Sequence, residues 1–212
     1  MKIIAFLNPK GGSGKTTAVI NVSSNLASSG KKIAVVDTDP QMSLTNWNKA
    51  EKAEFDVYTA VSEKDVYHVR KDLAEYDFVI IDGAGSLSVI TSAAVMVSDL
   101  IIIPVTPSPL DFSAAGSVVT VLEAQAYNRP VDARFLITRK IEQATMLNIL
   151  KASIAQTGIK PFKTAITQRQ SYVKSILEGE SVFDTSDGAA KGEIAILTRE
   201  ILEVIEKKPI NP

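Results

Sequence analysis

One stretch constrains this chain more than any other: Asn8-Pro9-Lys10-Gly11-Gly12-Ser13-Gly14-Lys15-Thr16-Thr17. It follows an apolar run, Ile3 to Leu7, and opens a segment with helical periodicity at about Lys15–Ser29. A glycine-rich turn between strand and helix lets backbone N–H groups converge on phosphate oxygens. The helix N-terminus adds the positive end of its dipole. Gly11, Gly12 and Gly14 permit the close approach and the positive φ angles that such a turn can need. Lys15 would then reach the β- and γ-phosphates of a nucleotide, and the Thr16 hydroxyl would ligate Mg2+. Two standard patterns fail. The dinucleotide fingerprint needs a third glycine where Thr17 stands, and the strict phosphate loop needs a glycine where Pro9 stands. What remains is Lys-Gly-Gly-x-Gly-Lys-Thr-Thr, with a second lysine, Lys10, five residues before Lys15.

The rest of the chain supplies a frame for that loop. Apolar runs recur at Ile33 to Val36, Phe78 to Ile81, Leu100 to Val105 and Phe135 to Ile137. They are rich in Ile and Val and do not alternate with polar residues, as strands covered on both faces read. Helical segments are predicted at about Lys15–Ser29, Glu63–Glu75, Phe112–Tyr127 and Gln143–Gln156, with Gly30 closing the first. Alternating strands and helices predict an α/β, doubly wound, mostly parallel sheet with helices on both faces. A chain of 212 residues buries a full core as one domain, here 1–206, with a frayed tail at 207–212.

Composition removes several alternatives. There is no cysteine, which excludes disulfides, iron–sulfur clusters, thiolate zinc sites and a catalytic thiol. The single histidine, His68, leaves no His cluster for a metal and argues against a Ser-His triad. No export signal opens the chain and no run of 18 apolar residues appears, so a cytoplasmic location is the expectation.

Carboxylates stand at the ends of two buried runs. Asp37-Thr38-Asp39-Pro40-Gln41 closes the second, and an i, i+2 pair faces one way while the chain stays extended. Strand carboxyl ends are where open α/β sheets bind ligands. N-capping of the next helix is the alternative role for either residue. Asp82 ends the third run, where a water-mediated Mg2+ ligand is expected beside a phosphate loop.

These boxes together resemble the ParA/MinD family of ATPases. Lys10–Thr17, including Ser13 and Thr17, resembles its deviant Walker A box, Asp37–Gln41 its second box, and Tyr76–Asp82 its Walker B strand. The resemblance implies ATP and Mg2+ as cofactors and weak ATP hydrolysis. It implies that Lys10 crosses a nucleotide-sandwiched homodimer to the partner's phosphates. A cation supplied in trans is worth roughly 10³–10⁵ in rate for a loose phosphoryl-transfer transition state. By the same resemblance Asp39 positions or activates the attacking water, and Asp37 helps hold the water shell of Mg2+. The family usually follows its Walker B aspartate with Thr/Cys-Pro-Pro; here Gly83-Ala84-Gly85 stands instead. The proline-rich loop Pro104–Phe112 resembles the family's dimer surface, with Pro107, Pro109 and Asp111 as candidate contacts. Asp111 is a candidate partner for Lys10 or, alternatively, an N-cap. After the fifth apolar run the family often places Asn-Arg near adenine; here Thr138-Arg139 stands, and Thr138 is the candidate near the base.

The net charge of −1 hides a split. From Arg134 to Lys174 eight basic residues face one acidic residue, Glu142, for a net of +7; the remainder of the chain carries −8. Such a division is a footprint of polyanion contact. Thr164–Tyr172 resembles the region where relatives hold non-specific DNA, with Arg169 matching the family's arginine and Lys174 beside it. Contacts of this kind give monomer Kd values of about 10⁻⁴–10⁻⁶ M, and dimerisation multiplies them. A solvated face with lysines pointing apart is the alternative.

The implied function is a plasmid or chromosome partition ATPase, closest to the short plasmid type. Its partners would be a centromere-binding adaptor protein, nucleoid DNA and a second copy, in some relatives a polymer. A phosphate loop at residue 10 leaves no room for a DNA-reading domain ahead of it, again as an expectation. The alternative is a membrane-associated cell-division ATPase of the MinD type. That reading needs a basic amphipathic terminal helix, whereas Gly192–Lys208 holds four glutamates against three basic residues. Its stripe of Ile194, Leu197, Ile201 and Val204 is expected to pack on the sheet, with no membrane contact. An ATP-dependent synthetase on this fold also stays open.

Overall fold

The computed structural model describes residues 1–141 and 144–206, the side chains of 109–111 and 144 excepted. The expected tail at 207–212 lies outside the described residues. Six parallel strands form one sheet: β1 (Lys2–Phe6), β2 (Ile33–Asp37), β3 (Asp56–Thr59), β4 (Phe78–Asp82), β5 (Leu100–Val105) and β6 (Asp132–Ile137). Their order is β3-β2-β4-β1-β5-β6. The helices are α1 (Lys15–Ser28), α2 (Ser43–Trp47), α3 (Glu63–Asp72), α4 (Val89–Val97), α5 (Pro109–Ala126), α6 (Ala144–Gln156), α7 (Gln170–Leu177) and α8 (Gly188–Glu206).

The apolar runs are continuous because each strand feeds two cores. Ile4, Phe6, Val35, Ile80, Ile102 and Leu136 face α1 and α8. Ile3, Ala5, Val36, Val79, Ile81 and Ile103 face α3, α4, α5 and α6. Successive strand side chains point to opposite faces, so a strand between two helical layers has no polar positions to spare. On α8, Ile194, Leu197 and Ile201 are fully buried and Ile205 nearly so, which spends its apolar stripe on the core. Val204 only flanks that stripe. Among the described residues no helix is long and apolar enough to cross a membrane.

β4 lies between β1 and β2, with Phe6 opposite Asp82 and Asp37 opposite Asp82. Three strand ends therefore deliver the loop after β1, Asp37 and Asp82 to one edge of the sheet. α1 ends as expected: Gly30 takes φ +79 and its N–H donates to the Ala27 carbonyl at 2.8 Å. α5 begins at Pro109, so Asp111 falls inside its first turn and not ahead of it as an N-cap.

Candidate nucleotide site

The loop between β1 and α1 is held from both ends. Asn8 is buried; its Nδ2 donates to the Pro104 carbonyl at 2.7 Å, and its Oδ1 accepts the Lys10 N–H at 2.9 Å. Gly12 and Gly14 take φ +78 and +86, the left-handed region that glycine enters without steric cost. A Cβ on Gly14 would also stand 3.3 Å from the Thr138 Cβ. Lys15 folds back, its Nζ donating to the Lys10 carbonyl at 3.2 Å. Burial pulls the Lys15 ammonium below the ordinary lysine range, opposed by Asp82 and Asp39. Lys10 is exposed.

The three aspartates divide their work. Asp82 is 1% exposed, and burial pushes its carboxyl up to about 7, against the Thr16 hydrogen bond and with Asp37 adding to the rise. Its Oδ2 accepts the Thr16 hydroxyl at 2.7 Å, while its Oδ1 is buried with no hydrogen-bond partner. Asp37 does not face the same way as Asp39. β2 ends at Asp37, and its Oδ2 accepts both the N–H and the hydroxyl of Thr45 in the first turn of α2. Thr38 is tied to the Asp82 carbonyl through its N–H and its hydroxyl, and Asp39 then starts a turn. That turn aims Asp39 across the cleft, where its Oδ2 accepts the Gly85 N–H at 3.0 Å. Asp37 thus secures the start of α2 without being its N-cap, a position held by Met42, and Asp39 faces the cleft.

Gly11, Gly12, Gly14, Lys15, Thr16, Thr17 and Asp39 line an open cleft of about 520 Å³ with Gly85, Ser86 and Arg139. Ser13 is buried beneath it. Thr16 and Asp82 fit Mg2+: a hydroxyl at the phosphates, backed by a carboxylate whose second oxygen lacks any protein partner. Among the described residues no three His, Cys, Asp or Glu side chains converge as a metal cage.

A second, more apolar cleft adjoins the first at Gly14 and Thr17. Ile166, Gln168, Tyr172, Val173 and Leu177 line it, with Thr138 and Arg139 at its edge. Thr138 does reach this cleft, but its hydroxyl is committed. It donates to the Ser13 carbonyl at 2.7 Å and braces the phosphate loop from below. Arg139, in the left-handed region at φ +47, carries its guanidinium over Gly12. The sequence gives neither Arg139 nor Asn8 a role, although Arg139 stands where the family often has the arginine of Asn-Arg and Asn8 opens the phosphate-loop stretch.

Three of the basic residues in the segment meet carboxylates. Arg169 is held by Glu193 at 3.0 Å and Asp187 at 3.8 Å, so its guanidinium is partnered at the second cleft and is not an outward cation. Lys174 is largely exposed, with Glu178 at 3.9 Å. Arg134 lies 3.9 Å from Asp132. Pro107 is half-buried in the turn before α5; the side chains of Pro109 and Asp111 lie outside the described residues. Trp47 and Tyr172 are core residues, the former stacked on Phe55 with its Nε1 donating to the Glu180 carbonyl at 3.1 Å. His68 is exposed on α3.

A family model described as "AAA domain" matches residues 1–73 and 64–130. Over 207 residues the chain is 30% identical to Maintenance of carboxysome distribution protein A of Halothiobacillus neapolitanus, covering 94% of this chain and 95% of that protein. It is 27% identical over 188 residues to Protein ParA of Rhizobium radiobacter, covering 81% of each. The MinD cell division protein of Aquifex aeolicus shares the fold, with a TM-score of 0.78 at 20% identity over the whole of both chains. With the deviant loop and its aspartates in register at one sheet edge, the chain belongs to the ParA/MinD family of P-loop ATPases.

Proposed function

We propose that this chain is a partition or positioning ATPase whose nucleotide-driven dimerisation switches its hold on DNA. The observation that carries this reading is the exposed Lys10, next in the chain to a cleft lined by Gly11, Lys15, Thr16 and Asp39, with Asp82 buried behind Thr16. One buried lysine serves the chain's own nucleotide, and a second, exposed one can serve a partner's. Thr16 and Asp82, with Asp37 behind them, would hold Mg2+, which when bound neutralises β- and γ-phosphate charge. Asp39 orients the attacking water. The second cleft takes the base, with Thr138 at its edge. Pro107, Pro109 and Asp111 belong to the face that meets the second copy.

The cargo is read by an adaptor protein that stimulates hydrolysis, in the manner of a centromere-binding protein. The names of the relatives, one concerned with carboxysome distribution and one a ParA, support segregation or positioning of a large cargo. Lys174 and Arg169 supply phosphate contacts to non-specific DNA, and Arg169 must exchange Glu193 for the phosphate. The membrane-associated alternative is less favoured because α8 buries its apolar stripe.

ATP turnover with and without DNA, in Lys15→Ala, Asp39→Ala and Lys10→Ala, tests the mechanism. Lys15→Ala should abolish turnover; undiminished activity in that variant would refute the reading. DNA retention with ATP should weaken in Lys174→Ala and Arg169→Ala.

A further inference from the structure

We propose that the backbone N–H of Gly85 is a positioning donor for Asp39, and that the Gly83-Ala84-Gly85 sequence exists to deliver it. This rests on the reading of Asp39 as the group that orients the attacking water.

The two oxygens of Asp39 each take one backbone donor. Oδ1 accepts the Gln41 N–H at 2.9 Å, a bond within its own turn. Oδ2 accepts the Gly85 N–H at 3.0 Å, 46 residues along the chain and on the far wall of the cleft. The first bond alone leaves the carboxylate free to swing with its turn. The second ties it to a different strand end and fixes its direction. An ionised carboxylate accepts several hydrogen bonds, so lone pairs remain for a water. Backbone donors to a charged acceptor are also the stronger class of hydrogen bond.

The loop after β4 is built to bring that donor across. The Gly83 N–H donates to the Phe6 carbonyl at 3.0 Å, anchoring the loop to β1. A Cβ on Gly83 would fall 2.7 Å from the Phe6 oxygen and 2.6 Å from Leu7 Cδ2, so only glycine lets the chain run this close. Two residues later the position of a Cβ on Gly85 is 3.7 Å from Asp39 Oδ2 and 3.9 Å from the Gly11 backbone. These are ordinary contacts, and Gly85 does not take a positive φ. Position 85 therefore does not need glycine; it needs an N–H. Proline, the residue at this position in the Thr/Cys-Pro-Pro pattern, has none. The departure from that pattern gives this chain a donor that the pattern lacks.

Gly85→Ala keeps the N–H and Gly85→Pro removes it. The kcat of Gly85→Pro should lie about 10-fold or more below that of Gly85→Ala, with Mg-ATP affinity nearly equal in the two. Nucleotide affinity and the unfolding curve check that Gly85→Pro still folds. If it does not, an amide-to-ester replacement at Gly85 deletes the same N–H without a ring and carries the same expectation. Wild-type kcat in the ester variant, or in a folded Gly85→Pro, overturns the proposal. Equal loss of kcat in Gly85→Ala also overturns it, because the donor is intact there. Asp39→Ala separates the two levels. If Asp39→Ala retains turnover, the reading of Asp39 fails. If it is inactive while the ester variant is normal, only the positioning role falls.

Discussion

Replacing Asp82 with asparagine should make this protein more stable at pH 8 while costing it catalysis. The cause is burial: Asp82 is enclosed at the sheet edge, Asp37 and Asp39 stand near it, and its carboxyl is pushed from 3.8 to about 7. That displacement corresponds to about 4 kcal/mol. The folded state holds the proton to higher pH than the unfolded chain does, so stability falls as pH rises. The loss begins above the unfolded pKa, near 4, and is complete once pH passes about 7. Between pH 5 and pH 8 the share due to Asp82 is about 3 kcal/mol.

Asparagine keeps an oxygen to accept the Thr16 hydroxyl and carries no charge to bury. Its amide places a donor where Asp82 Oδ1 now lacks a partner, a cost that does not vary with pH. The measurement is urea unfolding of both proteins, without nucleotide and with a chelator, at pH 5 and pH 8. The stability of Asp82→Asn relative to wild type should rise by about 3 kcal/mol over that interval. Titrations shared by both proteins cancel in the difference. A gap that stays constant with pH would refute the reasoning, because it would mean that Asp82 is already ionised at pH 5.

Four further outcomes follow from packing and hydrogen bonding. Gly179→Ala should cost about 2–4 kcal/mol in urea unfolding, since φ is +69 and its Cβ would meet the Ala50 Cβ at 2.2 Å. Gly158→Ala, with φ +72 and open space around it, should lose only the conformational share, about 1–2 kcal/mol; equal losses would show that the clash is relieved. Asn21→Leu removes the acceptor for the buried Val182 N–H, bonded at 2.7 Å, and should destabilise by about 1–3 kcal/mol; an unfolding curve within 0.5 kcal/mol of wild type would contradict this, on the order of a surface substitution. Thr138→Val keeps shape but loses the bond to the Ser13 carbonyl, so nucleotide affinity in a titration should fall about 5-fold while Thr138→Ser stays near wild type.

The legible parts of the fold share a physical character. β1, β2, β4 and β5 are buried on both faces, so each is a continuous apolar run. β3 escaped notice because it is an edge strand, where Asp56, Tyr58 and Thr59 face solvent and only Val57 turns inward. α4, Val-Ile-Thr-Ser-Ala-Ala-Val-Met-Val, has no clear polar face to give it helical periodicity; its Ser88–Thr91 capping box is the one local sign. α2 is a five-residue element held by Asp37 through Thr45, a tertiary cause that no local pattern carries. In the site, the lysines, glycines and aspartates could be read because their spacing in the chain reflects chemistry at one locus. The direction of a hydroxyl such as that of Thr138 depends on Ser13, 125 residues earlier, and spacing says nothing of it.

The charge pattern makes the same distinction on a larger scale. A local count gives +7 between Arg134 and Lys174, but folding brings carboxylates from further along the chain to meet it. Glu200 accepts the N–H groups of Lys163 and Thr164, and Glu193 accepts those of Thr167 and Arg169. Two of the glutamates that make α8 acidic are therefore structural ligands of the loop between α6 and α7. This explains how one helix can be apolar on its inner face and acidic beside it. It also places a carboxylate, Glu193, in direct competition with any phosphate for Arg169. The DNA contact proposed at Arg169 would then be an exchange and not an addition, and its strength would depend on how firmly α8 holds Glu193. The loop that Glu193 and Glu200 hold lines the cleft beside Gly14 and Thr17, so whatever shifts that loop reaches both the phosphate site and the arginine.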